Sequence, residues 1–348
     1  MSADVLAAIV PPLLDWYGHN ARSLPWRDEP TPYRVWISEI MLQQTRVEAV
    51  KPYFARFLAE LPDVPALAAA PEQQLMKLWE GLGYYSRARH LPKAARAMVE
   101  QHGGKLPAEY DALLKLPGIG PYTAGAVASI AFGIPAPAVD GNVLRVVMRL
   151  TAGRDDVADP AVKRAVERRM ADILPKDRPG DFNQAMMELG ATVCGPGGEP
   201  KCLMCPLNAL CEGCRQGIAR ELPVKAKKKA RRVEERTVFL LVCDGELALR
   251  KRAETGLLAG LWELPSAGGL LSPEGAAEVL REWGARPLAV RPMPAAKHIF
   301  THVEWHMTGY WVDLQERPAG FTWAGREALQ KEYALPSAFR AYLEAFVK

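Results

Sequence analysis

Apolar residues recur along the first two-thirds of the chain at the three- and four-residue spacing of amphipathic helices. Leu6, Ile9, Leu13, Leu14 and Trp16 put one such helix over 4–17. The same spacing predicts helices over 33–61, 72–79, 87–102, 108–114, 122–132, 143–150, 161–174 and 182–193. Pro and Gly punctuate these stretches, and no strand alternation interrupts them. The period then changes. Residues 237–243 are apolar and β-branched, Asp244-Gly245 is a hairpin signal, and 247–251 returns as a strand. Further strands are predicted over 261–264, 298–306 and 307–314, with helices over 273–283 and 336–347. An all-α part is therefore followed by an α+β part.

Between them, residues 223–235 hold Lys225, Lys227, Lys228, Lys229, Arg231 and Arg232 without an aromatic residue. Such a stretch reads as a solvated connector. The expected boundaries are a helical domain over 1–220, a basic linker over 221–236 and a second domain over 237–348. A length of 348 residues suits two domains, and 49% hydrophobic residues suffice for two cores. No apolar run approaches the ~18 residues of a membrane span. The apolar N-terminus lacks a basic leader, so no signal peptide is expected and no membrane partner either. A net charge of +4 permits a polyanionic partner without demanding one.

Five of the six cysteines fall within one short segment. Cys194, Cys202, Cys205 and Cys211 form C-x7-C-x2-C-x5-C, while Cys202, Cys205, Cys211 and Cys214 form C-x2-C-x5-C-x2-C. Either quartet suits a metal centre, and thiolates favour zinc or iron–sulfur clusters. A disulfide framework fits a long chain without a secretory leader less well.

Three more features carry chemistry. The string Leu116-Pro117-Gly118-Ile119-Gly120-Pro121 lies between two predicted helices, with Pro121 suited to the first helical position. The backbone N–H groups of such a turn form an anion site for a nucleic-acid backbone. Asp140 is the only acid between Asp111 and Asp155, at the mouth of a predicted helix, where an N-cap is the ordinary role. Glu39 is the only acid between Glu29 and Glu48 and sits among apolar residues, which raises a carboxyl pKa. One protonated acid and one ionised carboxylate is the division of labour for cleaving a glycosidic bond.

These residues lie in longer strings that occur in order: Leu24-Pro25-Trp26-Arg27; Trp36-Ile37-Ser38-Glu39-Ile40-Met41-Leu42-Gln43-Gln44-Thr45; Gly81-Leu82-Gly83-Tyr84-Tyr85; the 116–125 hairpin; Val139-Asp140-Gly141-Asn142-Val143; and the 182–190 segment. The chain resembles the MutY-type adenine DNA glycosylases of the endonuclease III-like helix-hairpin-helix superfamily, over essentially its whole length. The resemblance implies a multidomain protein: an all-α helix-hairpin-helix glycosylase domain with an iron–sulfur loop, and an α+β Nudix-like C-terminal domain. It implies excision of adenine mispaired with 8-oxoguanine, or with guanine, in base excision repair. Glu39 becomes the general acid and Asp140 the stabiliser of the sugar cation, with Tyr122 beside it and Asn142 positioning the reacting groups. Trp26 and Arg27 belong to the adenine pocket. Gln44, Thr45, Leu82 and Tyr84 are expected to wedge into or contact the duplex, Gly118 and Gly120 to hold its backbone, and Thr301 and His302 to meet 8-oxoguanine.

The cysteine run resembles the family's [4Fe–4S] loop at 194–211, which implies Cys194, Cys202, Cys205 and Cys211 as ligands. Seven residues separate the first two where six are usual, and Gly197-Gly198 absorb the extra residue. Relatives that also cut the strand carry a lysine at the hairpin position of Tyr122, so a monofunctional enzyme is expected. The alternatives are a bifunctional glycosylase/lyase and a non-catalytic DNA-binding iron–sulfur protein. Phe300-Thr301-His302 matches an F-S-H signature with threonine for serine. Arg281-Glu282-Trp283-Gly284 lacks the paired glutamates of a Nudix metal box, so recognition without pyrophosphate hydrolysis is expected. The partner is double-stranded DNA with an A:8-oxoguanine mispair, the protein a monomer of the bacterial cytoplasm acting at the nucleoid, and the connector a candidate contact for repair proteins.

Overall fold

The computed structural model describes residues 3–197, 199–226 and 230–347. Gly198 of the cysteine run and Lys227, Lys228 and Lys229 of the connector thus lie outside the described residues. The chain divides into two compact units: Met1–Ala69 with Arg89–Lys227, and Ala70–Ala88 with Lys228–Lys348.

In chain order the helices before the sheet are α1 (Ala3–Ala7), α2 (Val10–Asn20), α3 (Pro25–Asp28), α4 (Pro32–Leu42), α5 (Val47–Glu60), α6 (Val64–Ala69), α7 (Glu72–Trp79), α8 (Ser86–His102), α9 (Tyr110–Leu114), α10 (Pro121–Phe132), α11 (Gly141–Leu150), α12 (Pro160–Ile173), α13 (Pro179–Thr192) and α14 (Glu212–Arg215). Two expected segments are split. The 4–17 helix breaks because Pro11 and Pro12 open a new one at α2. The 33–61 helix breaks at Gln44, whose φ of 57° cannot continue a right-handed helix.

The first unit is organised around α10. Its residues Thr123–Ser129 are buried on every side, as expected of a helix with apolar or small residues all round. α4 and α13 both pack against it. Gly120 and Pro121 open α10, and Gly133 ends it with φ 65°. Gly125 lets the following loop cross closely, since a Cβ there would lie 2.0 Å from the Pro137 carbonyl oxygen. Asn183 of α13 pins the same loop. Its Oδ1 accepts from Ala138 N at 3.1 Å, and its Nδ2 donates to Ala136 O and Ser129 Oγ, each at 2.8 Å. A second cluster joins Ile9 and Leu13 of the N-terminus to Val143 and Val147 of α11, Val166 and Met170 of α12, and Phe182 and Leu189 of α13. Cys194, Cys205 and Cys211 pack on its edge.

The second unit is built on a mixed sheet. Its strands are β1 (Arg232–Cys243), β2 (Glu246–Lys251), β3 (Trp262–Glu263), β4 (Ser266–Gly268), β5 (Pro287–Ile299), β6 (Val303–Leu314) and β7 (Thr322–Ala324), with α15 (Pro273–Glu282), α16 (Arg326–Lys331) and α17 (Arg340–Val347). The order is β3-β2-β1-β6-β5, with β4 on β1 and β7 on β2. β1 and β6 run parallel, Phe239 opposite Tyr310, and the other pairings are antiparallel. Alternate residues of β1 serve opposite faces. Val238 and Leu240 join Phe339 and Tyr342 in one core, while Phe239 and Leu241 join Ala276 and Leu280 of α15 in the other. α7 belongs here because Lys77 Nζ donates to Leu329 O (2.8 Å) and Tyr333 O (3.1 Å), and Glu80 Oε1 accepts from Leu335 N (2.7 Å).

β1 reaches back to Arg232, into the stretch read as connector. Most of β5 lies outside the expected strands, and it contains Pro287, Pro292 and Pro294. They are accommodated since β5 ends the sheet order, where an edge strand tolerates proline. The strand expected over 298–306 is interrupted: 298–299 end β5, 303–306 begin β6, and Phe300-Thr301-His302 form the bend between them.

Replacing Gly125 with alanine presses a methyl group against backbone that cannot swing aside. We expect Gly125→Ala to lose about 1–3 kcal/mol in reversible denaturant unfolding; an unchanged midpoint would show that the loop is free to move.

Candidate active site

A cleft of about 820 Å³ opens in the first unit. Its lining includes Trp26, Arg27, Glu39, Gln44, Thr45, Gly120, Tyr122, Asp140 and Asn142, so residues more than a hundred positions apart meet there. Arg22, Gln184, Met187 and Glu188 line it too and were not anticipated. The available signal was the spacing of Gln184 and Glu188, four apart on one face of α13.

Glu39 is delivered by α4, which Thr31 caps by accepting from Arg34 N at 3.3 Å. Only 6% of Glu39 is exposed. The Tyr122 hydroxyl of α10 donates to its Oε2 at 2.5 Å, and Met187 Sδ lies 3.2 Å from the same oxygen of Tyr122. Burial pushes the Glu39 carboxyl up to about 7, with the Asp140 charge adding to it; the Tyr122 hydrogen bond and the Arg27 charge act in the opposite sense. It is an acid poised to hold a proton near neutrality.

Asp140 has a different environment. It is indeed the N-cap of α11, and it faces the cleft as well. Its Oδ1 accepts from the backbone N–H of Asn142 and Val143, each at 2.8 Å, and its Oδ2 accepts from Asn142 Nδ2 at 2.7 Å. Burial raises its pKa, and these donors with Arg145 pull it back toward the ionised form. Both oxygens act only as acceptors, the role of a carboxylate.

The hydrogen bonds continue along α11. Arg145 Nη2 donates to Asn142 Oδ1 (2.8 Å) and Gly190 O (2.7 Å), and its Nε to Cys194 O (2.8 Å). One turn on, Arg149 Nη1 reaches Cys194 O (3.1 Å), Cys194 Sγ (3.2 Å) and Gly195 O (3.1 Å). Cys194, Cys202, Cys205, Cys211 and Cys214 line one small cavity. Among the described residues, no three metal-binding side chains converge tightly enough for a single ion. Thiols around a shared cavity suit a multinuclear cluster, which takes one thiolate per iron. Backbone N–H groups support Cys205 (from Leu207) and Cys211 (from Gly213 and Cys214). Burial pushes Cys202 to about 11 and Cys205 to about 12, so the metal-free thiols stay neutral near neutral pH. The donor set fits an iron–sulfur cluster, whose positive iron would draw off those protons.

The remaining candidates divide between the units. Gln44 is exposed at the end of α4, in the first unit, with its φ of 57°. Gly118 has φ 78° and sits against His90, leaving no room for a Cβ. In the second unit Tyr84 has φ 48° and is 43% exposed, and its hydroxyl lies 3.3 Å from Thr301 Oγ1. Left-handed φ at a glutamine and a tyrosine costs about 1–3 kcal/mol each and marks functional positions more often than others. His302 is exposed beside Thr301. Tyr85 is core, and Leu82 is buried at 7% exposure.

Residues 37–176, from the Glu39 helix past Asp140, match the model of the HhH-GPD superfamily base excision DNA repair proteins, and residues 237–345 match a NUDIX domain. Fold and cleft together define a helix-hairpin-helix DNA N-glycosylase carrying a Nudix-like module. The structure is similar to a thermostable thymine-DNA glycosylase (29% identity, TM-score 0.55, covering 61% of this chain and 98% of that one). It is also similar to endonuclease III in a non-covalent complex with DNA (27%, 0.54, 63% and 99%). The adenine DNA glycosylases of Rattus norvegicus and Homo sapiens are each 35% identical over 95% of this chain, covering 77% and 73% of theirs. The chain belongs to the adenine DNA glycosylase family. Among the described residues, no helix is long and apolar enough to cross a membrane.

The raised pKa of Glu39 has a measurable consequence. Between its ordinary 4.5 and about 7 the folded protein keeps a proton that the unfolded chain releases. Stability therefore declines as pH rises through that window. Glu39→Gln should remove the decline and exceed wild type at about pH 8 by up to roughly 3 kcal/mol. Parallel stability–pH curves for the two proteins would refute the buried proton.

Proposed function

We propose that this enzyme excises adenine mispaired with 8-oxoguanine, Glu39 acting as the acid and Asp140 as the counter-charge. The observation that carries this reading is one cleft holding a buried carboxyl whose pKa is pushed up to about 7 and a second carboxylate that caps α11 and only accepts hydrogen bonds. Adenine leaves the stack and enters the cleft between Trp26 and Arg27, at an unstacking cost of a few kcal/mol. Glu39 donates its proton to the base at N7. The C1′–N9 bond then breaks, and its electron pair leaves with adenine. The sugar cation is stabilised by Asp140, which Asn142 and the α11 N-terminus hold in place. Water adds to C1′ and gives its proton to the now ionised Glu39, which restores the acid. Tyr122 orients Glu39 through its hydroxyl and is no amine nucleophile, so the strand is left uncut.

DNA contact follows from the same elements. The N–H groups of the Gly118–Gly120 turn and the start of α10 face a phosphate. Gln44 and Tyr84, held in left-handed conformations, serve as wedges, with Thr45 beside the first. Thr301 and His302 read 8-oxoguanine from the β5–β6 turn, and buried Leu82 props the Tyr84 loop. Cys194, Cys202, Cys205 and Cys211 hold a [4Fe–4S] cluster. Cys194 is favoured over Cys214 because Arg149 of α11 donates to its sulfur at 3.2 Å. The cluster, when bound, closes the 194–211 loop against α11.

Single-turnover base release from A:8-oxoguanine, A:guanine and A:cytosine duplexes, followed by alkali, tests this reading. Wild type should favour 8-oxoguanine, and Glu39→Gln should lose at least about 100-fold. Undiminished release by Glu39→Gln would favour a non-catalytic DNA-binding protein. Thr301→Val should narrow the 8-oxoguanine preference over guanine while sparing the rate on A:guanine. Strong borohydride trapping on abasic DNA would instead indicate a lyase.

A further inference from the structure

Glu188 is a buried ionisable group that the reaction scheme does not use. It projects from α13 into the cleft wall with 1% of its side chain exposed. Two arginines share it. Arg22 grips both oxygens, through Nε on Oε1 (2.5 Å) and Nη2 on Oε2 (2.9 Å), and Arg27 Nη2 reaches the same Oε2 at 2.9 Å. Arg27 Nη1 also donates to Arg22 O at 3.1 Å, and its guanidinium lies 5.6 Å from the Tyr17 ring centre. Burial raises the Glu188 pKa, but the Arg22 hydrogen bond and the Arg27 charge outweigh it, and the group stays ionised. Neither arginine has another carboxylate in hydrogen-bond contact among the described residues.

We propose that Glu188 is a positioning residue for base excision: it fixes Arg22 and Arg27 in the wall of the adenine pocket and cancels the positive charge that Arg27 would otherwise direct at Glu39. The inference rests on the reading of Glu39 as the acid. A buried ion triad is weak evidence for stability, since apolar groups often do as well. Its placement suggests a different use. The charged and titratable groups acting on Glu39 are Tyr122 from α10, Asp140 at the head of α11 and Arg27 from α3; from α5, Glu48 acts on Arg22. Among the described residues, Arg27 is the cation acting on Glu39, and it favours loss of the very proton that catalysis needs. Glu188 lets the pocket keep a guanidinium for the base while the neighbouring acid stays protonated.

The test is the pH dependence of single-turnover excision by the full, cluster-loaded protein. Glu39 works protonated, so the rate falls as pH rises through its pKa. Glu188→Gln keeps the shape and an acceptor oxygen but leaves the arginines uncompensated. Its alkaline limb should move about half to one unit toward acid, costing about three- to tenfold on the alkaline side and little on the acid side. Glu188→Asp, which retains the charge, should restore the wild-type limb. Arg27→Met should shift the limb toward alkali, and it provides the measurement if Glu188→Gln does not fold. A limb unmoved in Glu188→Gln, whether the rate is normal or uniformly reduced, overturns the proposal, as does an unmoved limb in Arg27→Met. Failure of the underlying reading looks different: Glu39→Gln would then retain both the wild-type rate and its alkaline limb.

Discussion

The site depends on unequal access of two carboxylates to N–H donors. Glu39 lies within a helix, where backbone N–H groups are already committed to the ladder, and one hydroxyl, from Tyr122, donates to it. Asp140 sits immediately before α11, as its N-cap, and receives three N–H groups. Burial acts on both. What separates them is the supply of donors, which helix position sets: interior for one, N-cap for the other. An exchange of roles would require exchanging those positions in the fold.

Keeping Asp140 in place is correspondingly elaborate. The loop that ends at Asp140 is pinned by Asn183 and crosses α10 at Gly125. On the far side, Arg145 and Arg149 tie α11 to Cys194, so the cysteine loop and the Asp140 cap share one ten-residue helix. A brace of this kind fixes a carboxylate to within the few tenths of an ångström that charge stabilisation needs. It also gives the cysteine loop a reason to exist without a part in the bond-breaking step.

Much of this was legible in the residues. Gly118, Gly120 and Pro121 announce a turn and a helix start, and Asp140 before Gly141 announces a cap; all are local signals, and the structure has them where expected. What was missed is non-local. The break at Gln44 leaves no trace in hydrophobic period, because apolar residues continue on both sides of it. The prolines of β5 speak against a strand unless one knows it lies at an edge, which is a property of the whole sheet. Placing α7 with the sheet depends on Lys77 and Glu80 meeting backbone some 250 residues away. The Glu188 triad joins α2's end, α3 and α13, and no spacing rule spans such a gap.

Strain at Gln44 and Tyr84 fits the same economy. A side chain that must enter a base stack pays for ordering at the moment of binding unless its backbone is already set. Left-handed φ at these two residues costs about 1–3 kcal/mol each, comparable with the few kcal/mol needed to unstack a base. Holding the strain in the free protein moves that cost into folding, where buried aromatic neighbours such as Trp79, whose Nε1 donates to Gly83 O at 3.0 Å, and Tyr85, whose hydroxyl accepts from Gly81 N at 3.2 Å, offset it. The Tyr84 loop is thereby stabilised by buried residues, leaving its tip exposed. In this reading Leu82 belongs to that support: its burial is what allows Tyr84, two residues on, to stay exposed.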